Sequence, residues 1–222
     1  MKYTKWFGVG FSMIASMLCA CSEDSPSEPK DTFDANVVCP ESQRGTFTDE
    51  RNGQVYKYTT IGNQVWMAEN LKFDAPYSQC YEKIEDFCDT FGRFYSLHVD
   101  GDDLGLFDQD LIDTICPAGW HVPSLDEWKM LANSVGEGEK GSARLRTSND
   151  FGEFYDPGSD DCGFNALPAG YWMLNGELSG NEVFAIYWTS TKKAYDLMFA
   201  YNLGRLSVET NLPKMTLRCL KD

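Results

Sequence analysis

The cysteines constrain this 222-residue chain more than any other feature. There are eight. Cys19 and Cys21 lie close together near the N-terminus. Cys39, Cys80, Cys88, Cys116, Cys162 and Cys219 are spread over the rest. Six cysteines allow fifteen pairings. Whether they pair at all depends on the compartment, because cytosolic thiols stay reduced and exported ones oxidise. The first twenty residues decide that question.

Lys2 and Lys5 form a positive N-terminal region, and Trp6 to Leu18 is an apolar run of thirteen residues. Thirteen residues are too few to cross a bilayer but suit a signal peptide. The run ends in Leu18-Cys19-Ala20-Cys21. Leu at −3, a small residue at −1 and Cys at +1 resemble the bacterial lipobox, with Cys19 at −2 a departure from the usual small residue. This pattern predicts a lipoprotein signal peptide over residues 1–20 and acylation of Cys21 with palmitate-type chains. Such chains hold a protein at a membrane by burying methylene groups. Residues 21–44 are expected to be a disordered tether. It opens with Ser22 to Asp31, a run of Ser, Pro, Lys and acids that has nothing to bury. Ser22 followed by acids resembles a signal for outer-membrane delivery. The expected location is the outer membrane, on its cell-surface or periplasmic face.

In an exported domain the even set of six reads as three disulfides. Cys80 and Cys88 flank a short polar loop, which suits a local bridge. A Cys116–Cys219 bridge would clamp the C-terminal half, and Cys39–Cys162 follows by elimination. Zinc is a poor alternative, because there is no C-x-x-C and only His98 and His121 could assist.

Charge narrows the partners. Of 19 basic residues, Lys2 and Lys5 would leave with the leader, so 17 remain against 34 acidic groups, a formal −17. Such a surface repels nucleic acid and keeps an exported protein soluble. It tolerates neutral or cationic partners and divalent ions.

Residues 45–71 read as a β-meander. Thr46 to Asp49, Gln54 to Ile61 and Gln64 to Ala68 are β-rich, with turn signals at Asn52-Gly53 and Gly62-Asn63. The clearest helix spans 124–135. Ser124 and Glu127 form a capping box, and Leu125, Trp128, Leu131, Ala132 and Val135 recur every three or four residues before Gly136 ends it. Residues 137–182 are polar and glycine-rich and are expected to be mostly loop. Phe184 to Ser190, Tyr195 to Asn202, Arg205 to Glu209 and Met215 to Leu220 read as strands, with Leu203-Gly204 turning the middle pair. Strands, a helix, a long loop region and further strands make an α+β fold.

Several motifs occur in order: Gly62-x-Gln64-x-Trp66-Met67-Ala68-Glu69-Asn70-Leu71, Gly92-Arg93-Phe94-Tyr95, and Cys116-Pro117-Ala118-Gly119-Trp120-His121-Val122-Pro123-Ser124-x-x-Glu127-Trp128. Then come Asn165 to Tyr171, Tyr187-Trp188-Thr189-Ser190-Thr191 and Arg218-Cys219-Leu220-Lys221-Asp222. The set resembles the Fibrobacter major paralogous domain over roughly residues 45–222. The resemblance implies an exported protein of fibre-digesting bacteria, with a C-terminal half similar to C-type lectin-like folds. In those folds a last-strand Cys returns to a Cys that precedes a helix, places that Cys116 and Cys219 fit. The long loop region would then be about 137–186.

An enzyme is not expected. His121 could be a general base or metal ligand, but its Gly-Trp-His-Val-Pro setting suits a hydrogen-bonded structural residue before the helix. His98 stands alone. No serine elbow, phosphate loop or zinc motif is present. A formylglycine-generating activity would need a reactive cysteine pair near the C-terminus, where only Cys219 lies. Asp100 to Gly105, with Asp108, Asp110 and Asp113, departs from a calcium loop in lacking a closing Glu. No Glu-Pro-Asn or Gln-Pro-Asp is present, which argues against calcium-mediated sugar binding. The leading expectation is a non-catalytic module for plant cell-wall polysaccharide. Its candidate contacts are Tyr155, Asp160, Asp161, Tyr171, Trp172 and Asn175, aromatics to stack on sugar rings and carboxylates and amides to meet hydroxyls. The alternative is a scaffold that presents loops to a surface protein. No cofactor is expected, with calcium the minority alternative. Trp66, Trp120, Trp128 and Trp188 are assigned to the core.

Overall fold

The computed structural model describes residues 31–222 except 82, 83, 85, 98–107, 137, 152–156, 174, 182, 192–195, 201–205 and 210–213. The leader, Cys21, Tyr155, His98, the acidic run at 100–105 and the Leu203-Gly204 turn fall outside the described residues. The folded unit is Phe33–Asp222.

Along this unit, α1 (Ala35–Val38) and a short 3-10 turn (Glu41–Gln43) lead into β1 (Gly45–Asp49), β2 (Gln54–Ile61) and β3 (Gln64–Met67). Then come β4 (Ser78–Gln79), α2 (Phe87–Phe91), β5 (Phe94–Tyr95), α3 (Gln109–Thr114) and β6 (Trp120–His121). The helices α4 (Leu125–Val135) and α5 (Gly138–Leu145) come next. The chain closes with β7 (Tyr171–Trp172), β8 (Leu178–Ser179), β9 (Phe184–Tyr187), β10 (Asp196–Ala200), β11 (Leu206–Glu209) and β12 (Leu220–Lys221). The fold is α+β, as expected.

The meander forms, and the last strand completes its sheet. The order is β1-β2-β3-β12-β6, with Leu220 opposite both Trp66 and His121. The sheet therefore joins the start and the end of the domain. A second sheet has the order β11-β10-β9, and β4–β5 and β7–β8 are two-stranded ribbons. The β2–β3 hairpin turns on Gly62-Asn63 alone, since Ile61 pairs with Gln64 and Gly62 takes φ +58. The β1–β2 connection is longer than a two-residue turn, because Asp49 pairs with Gln54. Asp49 is the cause. Its Oδ1 accepts from the Arg51 backbone N–H at 3.1 Å and its two oxygens grip the Arg51 guanidinium at 2.9 and 2.7 Å, so the bend begins before Asn52.

Two cores share the sheet. One gathers Tyr56, Met67, Leu71, Tyr95, Ile186, Trp188 and Leu217. The other gathers Ile61, Trp66, Trp128, Leu131, Phe164, Tyr187 and Leu220. Trp66 packs on Trp128 with ring centroids 4.5 Å apart, and the Trp188 indole N–H donates to the Tyr95 carbonyl at 2.7 Å. All four tryptophans assigned to the core are buried there. α4 begins with the expected capping box and buries Trp128, Leu131 and Val135.

Two expectations need correction. Residues 137–182 are not mostly loop at their start, where α5 stands. Its buried face is Gly141, Ser142, Arg144 and Leu145, so no apolar period announces it. Gly141 is required there, since a Cβ would lie 1.6 Å from the Gly136 carbonyl oxygen. Residues 33–44, expected to be part of a disordered tether, also belong to the folded unit. Phe33, Ala35 and Val38 pack against the second core, and Cys39 is bridged to Cys162. The other bridges are Cys80–Cys88 and Cys116–Cys219, so all three expected pairings are present.

Candidate functional site

A polar cleft of about 410 Å³ opens where five segments meet, one of them contributing Ala68 just after β3. Arg44 and Gly45 come from the start of β1, Lys57 and Tyr58 from β2, Thr147 to Asn149 from the stretch after α5, and Asp160, Gly163 and Asn165 from the loop that Cys162 anchors. The volume lies low in the ~300–1,000 Å³ range of small-molecule sites. Among the described residues Tyr58 is the one aromatic ring in its lining.

The 158–166 loop is fastened on every side. Cys162 bridges to Cys39, its carbonyl accepts from the Thr59 hydroxyl at 2.6 Å, and the Asp161 carbonyl accepts from Arg44 Nη2 at 2.6 Å. Ser159 N–H donates to the Ala143 carbonyl at 2.8 Å. Within the loop Asp160 and Asn165 both hold left-handed backbone, φ +49 and +53. Non-glycine residues sit there at some cost, and surrounding contacts must hold them. The Asn165 N–H donates to Asp160 Oδ1 at 2.7 Å, which ties the two together. Burial pushes the Asp160 carboxyl up to about 6, against the opposing pull of that N–H and of the Arg218 and Arg44 charges. The Arg44 guanidinium lies close over Gly163, where a Cβ would be 2.9 Å from its Cζ.

Arg218 supports the loop from inside and is fully buried. Its Nε donates to Asn70 Oδ1 at 2.9 Å, Nη2 to the Asn165 carbonyl at 2.8 Å and Nη1 to the Phe164 carbonyl. The guanidinium stacks 4.3 Å above the Phe164 ring. Burial lowers its pKa from the usual arginine range. This cation is neutralised by carbonyl dipoles and ring faces rather than by a contacting carboxylate.

Of the residues singled out in the sequence, Asp160 lines the cleft. Asp161 borders it with an exposed side chain, and its carbonyl holds Arg44. Tyr171, Trp172 and Asn175 are not in the lining. They belong to the β7–β8 hairpin, where the amide of Asn175 pairs with Glu177 Oε2 at 2.8 Å. Trp172 is half-buried and meets Tyr81 and Phe94 edge-on, at 5.6 and 6.0 Å. Sequence reasoning missed Arg44, Lys57, Tyr58, Asn149 and Asn165 as a group. No spacing links them, since the long-range pairing of β1 with β2 and the Cys39–Cys162 bridge bring them together.

His121 forms a second polar cluster. Its Nδ1 lies 2.7 Å from Asp222 Oδ1 and its Nε2 3.0 Å from Glu127 Oε1. Glu127 Oε2 also accepts from the Ser124 N–H at 2.7 Å. Desolvation opposes the charged ring, but the two carboxylates outweigh it and raise the His121 pKa. The Glu127 pKa is lowered, by the Ser124 hydrogen bonds and then by His121, against desolvation. With both nitrogens on carboxylates, the ring acts as a clamp between the helix start and Asp222. Among the described residues there is no group of three or more His, Cys, Asp and Glu arranged to hold a metal ion.

Fold and site together define a disulfide-braced α+β domain with a polar cleft set beside its main sheet. A family model described as Fibrobacter succinogenes major domain matches residues 59–221, and the chain belongs to that family. Asn149, Asp160 and Asn165 fall inside the matched span, whereas Arg44, Lys57 and Tyr58 precede it. No curated protein and no solved structure matches the chain.

Proposed function

We propose that this protein is a lipid-anchored, non-catalytic binding module for cell-wall polysaccharide, carried on Cys21 at the outer membrane. The observation that carries this reading is the composition of the cleft. Asp160, Asn149, Asn165, Ser148 and Tyr58 offer carboxyl, amide and hydroxyl groups around a space suited to one or two sugar rings. Recognition of hydroxyls by convergent polar groups is how small polar ligands are oriented. The family supports an extracytoplasmic setting, and the Cys116–Cys219 bridge between the approach to α4 and the last strand supports a lectin-like arrangement. His121 supports a non-catalytic role, because a general base needs a free ring nitrogen and both of its nitrogens face carboxylates.

Pull-down on insoluble cellulose, xylan and pectin tests the reading, with Asn149→Ala to open the cleft and Trp172→Ala to alter the hairpin. Binding to at least one polymer, weakened tenfold or more by Asn149→Ala, is the expected result. Retention on none of them rejects the reading. Loss through Trp172→Ala alone would move the site to the hairpin.

A further inference from the structure

The cleft inverts the charge of the molecule around it. The chain carries 34 acidic and 19 basic residues. Among the described residues the cleft lining holds Arg44 and Lys57 against a single acid, Asp160, and neither cation has a carboxylate closer than 4.0 Å. The Lys57 ammonium forms no ion pair among the described residues, and Arg44 reaches only the exposed Glu41, at 4.0 Å. Glu69 takes the backbone N–H of Lys57 at 2.8 Å, but its other oxygen pairs with Lys72 at 3.5 Å. Arg44 Nε is buried and has no hydrogen-bond partner.

A buried donor without an acceptor is costly. The Arg44 guanidinium and the exposed Lys57 ammonium both border the cleft, and two cations on one wall attract a carboxylate. Around those cations the remaining lining is suited to hydroxyls: Asp160, Asn149, Asn165 and Tyr58. Screening over about 8 Å at physiological salt confines what a ligand feels largely to this lining, despite the acidic surface beyond.

We propose that the cleft takes an acidic sugar, a hexuronate unit of a polysaccharide, with its carboxylate drawn to Arg44 and Lys57 and its hydroxyls met by Asp160, Asn149 and Asn165. This rests on the reading of the domain as a polysaccharide-binding module and adds its ligand class. Both cations precede the family-matched span, so the acidic preference is set by this chain's own N-terminal segment rather than by the family motifs.

Calorimetric titration of the full chain with tetragalacturonate and with glucuronate-substituted xylotetraose decides the matter, each set against its carboxyl-reduced counterpart. At least one acidic oligosaccharide should bind tenfold or more tighter than its neutral partner. Lys57→Gln and Arg44→Gln should each erase most of that advantage. Lys57 is exposed, so its replacement tests the idea even if Arg44→Gln loosens the 158–166 loop. Equal affinity for acidic and neutral forms, or an advantage that survives both substitutions, overturns the proposal but leaves a neutral-sugar module standing. Failure of every oligosaccharide and of every polymer in the pull-down removes both.

Discussion

The His121 cluster and the Asp160 cleft are built from similar groups and end in opposite states. Each joins segments far apart in the chain, and each lies beside a long-range disulfide. Cys116–Cys219 precedes β6 and His121, whereas Cys39–Cys162 holds the Asp160 loop. At His121 every charge meets its opposite at contact distance. At Asp160 the nearest cations act across space, the carboxyl is pushed up by burial, and Arg44 keeps an unmatched donor. The first arrangement stabilises a joint. The second leaves interaction capacity for something outside the protein. Charge count alone does not mark a binding site; what matters is whether the fold has already matched the charges.

Four variants would break or sharpen that contrast. The largest effect is expected from removing the Cys39–Cys162 bridge, which closes 123 residues of chain. The loop-closure account puts its contribution at about 4–5 kcal/mol. Cys39→Ser with Cys162→Ser should lower the urea midpoint accordingly and speed amide exchange in the 158–166 loop, with little change at β6. Equal exchange in both regions would show that the two are not separately fastened.

Arg218→Met comes next. It leaves the Phe164 and Asn165 carbonyls without their donor, and a loss of about 3 kcal/mol is expected in denaturant unfolding. If Met packs with no loss, the buried cation is not what holds the loop.

The two clusters should then answer pH in different ways. The folded-state pKa of His121 is raised, so its stabilisation is full below the ordinary value of 6.5 and fades as pH climbs through the folded value. The Glu127 pKa is lowered from 4.5, so its share is present above that and is lost on acidification through the folded value. The clamp is therefore strongest between about 4.5 and 6.5. His121→Gln should cost ~1 kcal/mol at pH 6, a figure discounted for solvent exposure, and less at pH 9.

Asp160 behaves in the reverse sense to a salt-bridged acid. Its folded pKa is raised from 3.8 to about 6, so the folded state is favoured while the group is protonated and loses stability as pH rises across that interval. Asp160→Asn keeps an oxygen to accept from Asn165 and tolerates the left-handed backbone. It should raise stability at pH 7 by ~1 kcal/mol or less, a figure that again allows for partial exposure, and flatten the slope between pH 4 and 6. An unchanged slope would show that Asp160 ionises as an ordinary surface carboxylate.

Much of the scaffold was legible because local chemistry and long-range packing agree there. Ser124 and Glu127 cap α4, and the apolar spacing behind them is the face the core buries. Gly62-Asn63 turns the hairpin because its neighbours pair directly across it. α5 was hidden because its buried face carries a glycine, a serine and an arginine, which are satisfied only by tertiary partners. Arg144 stacks 3.9 Å above Phe33, a residue that reads as tether. The cleft was only partly visible. Asp160 stood out in an acidic, glycine-containing stretch, but its cations lie about a hundred residues earlier and reach it through a disulfide and a strand pairing.

That same bridge would have a mechanical meaning if, as proposed above, the protein is held by its N-terminal end. A pull arriving along the chain reaches Cys39 and passes through sulfur directly to Cys162. The intervening residues, roughly 400 Å of contour at full extension, could not be drawn out by that pull. Tension would arrive together at Arg44 and at the 158–166 loop, two walls of the cleft.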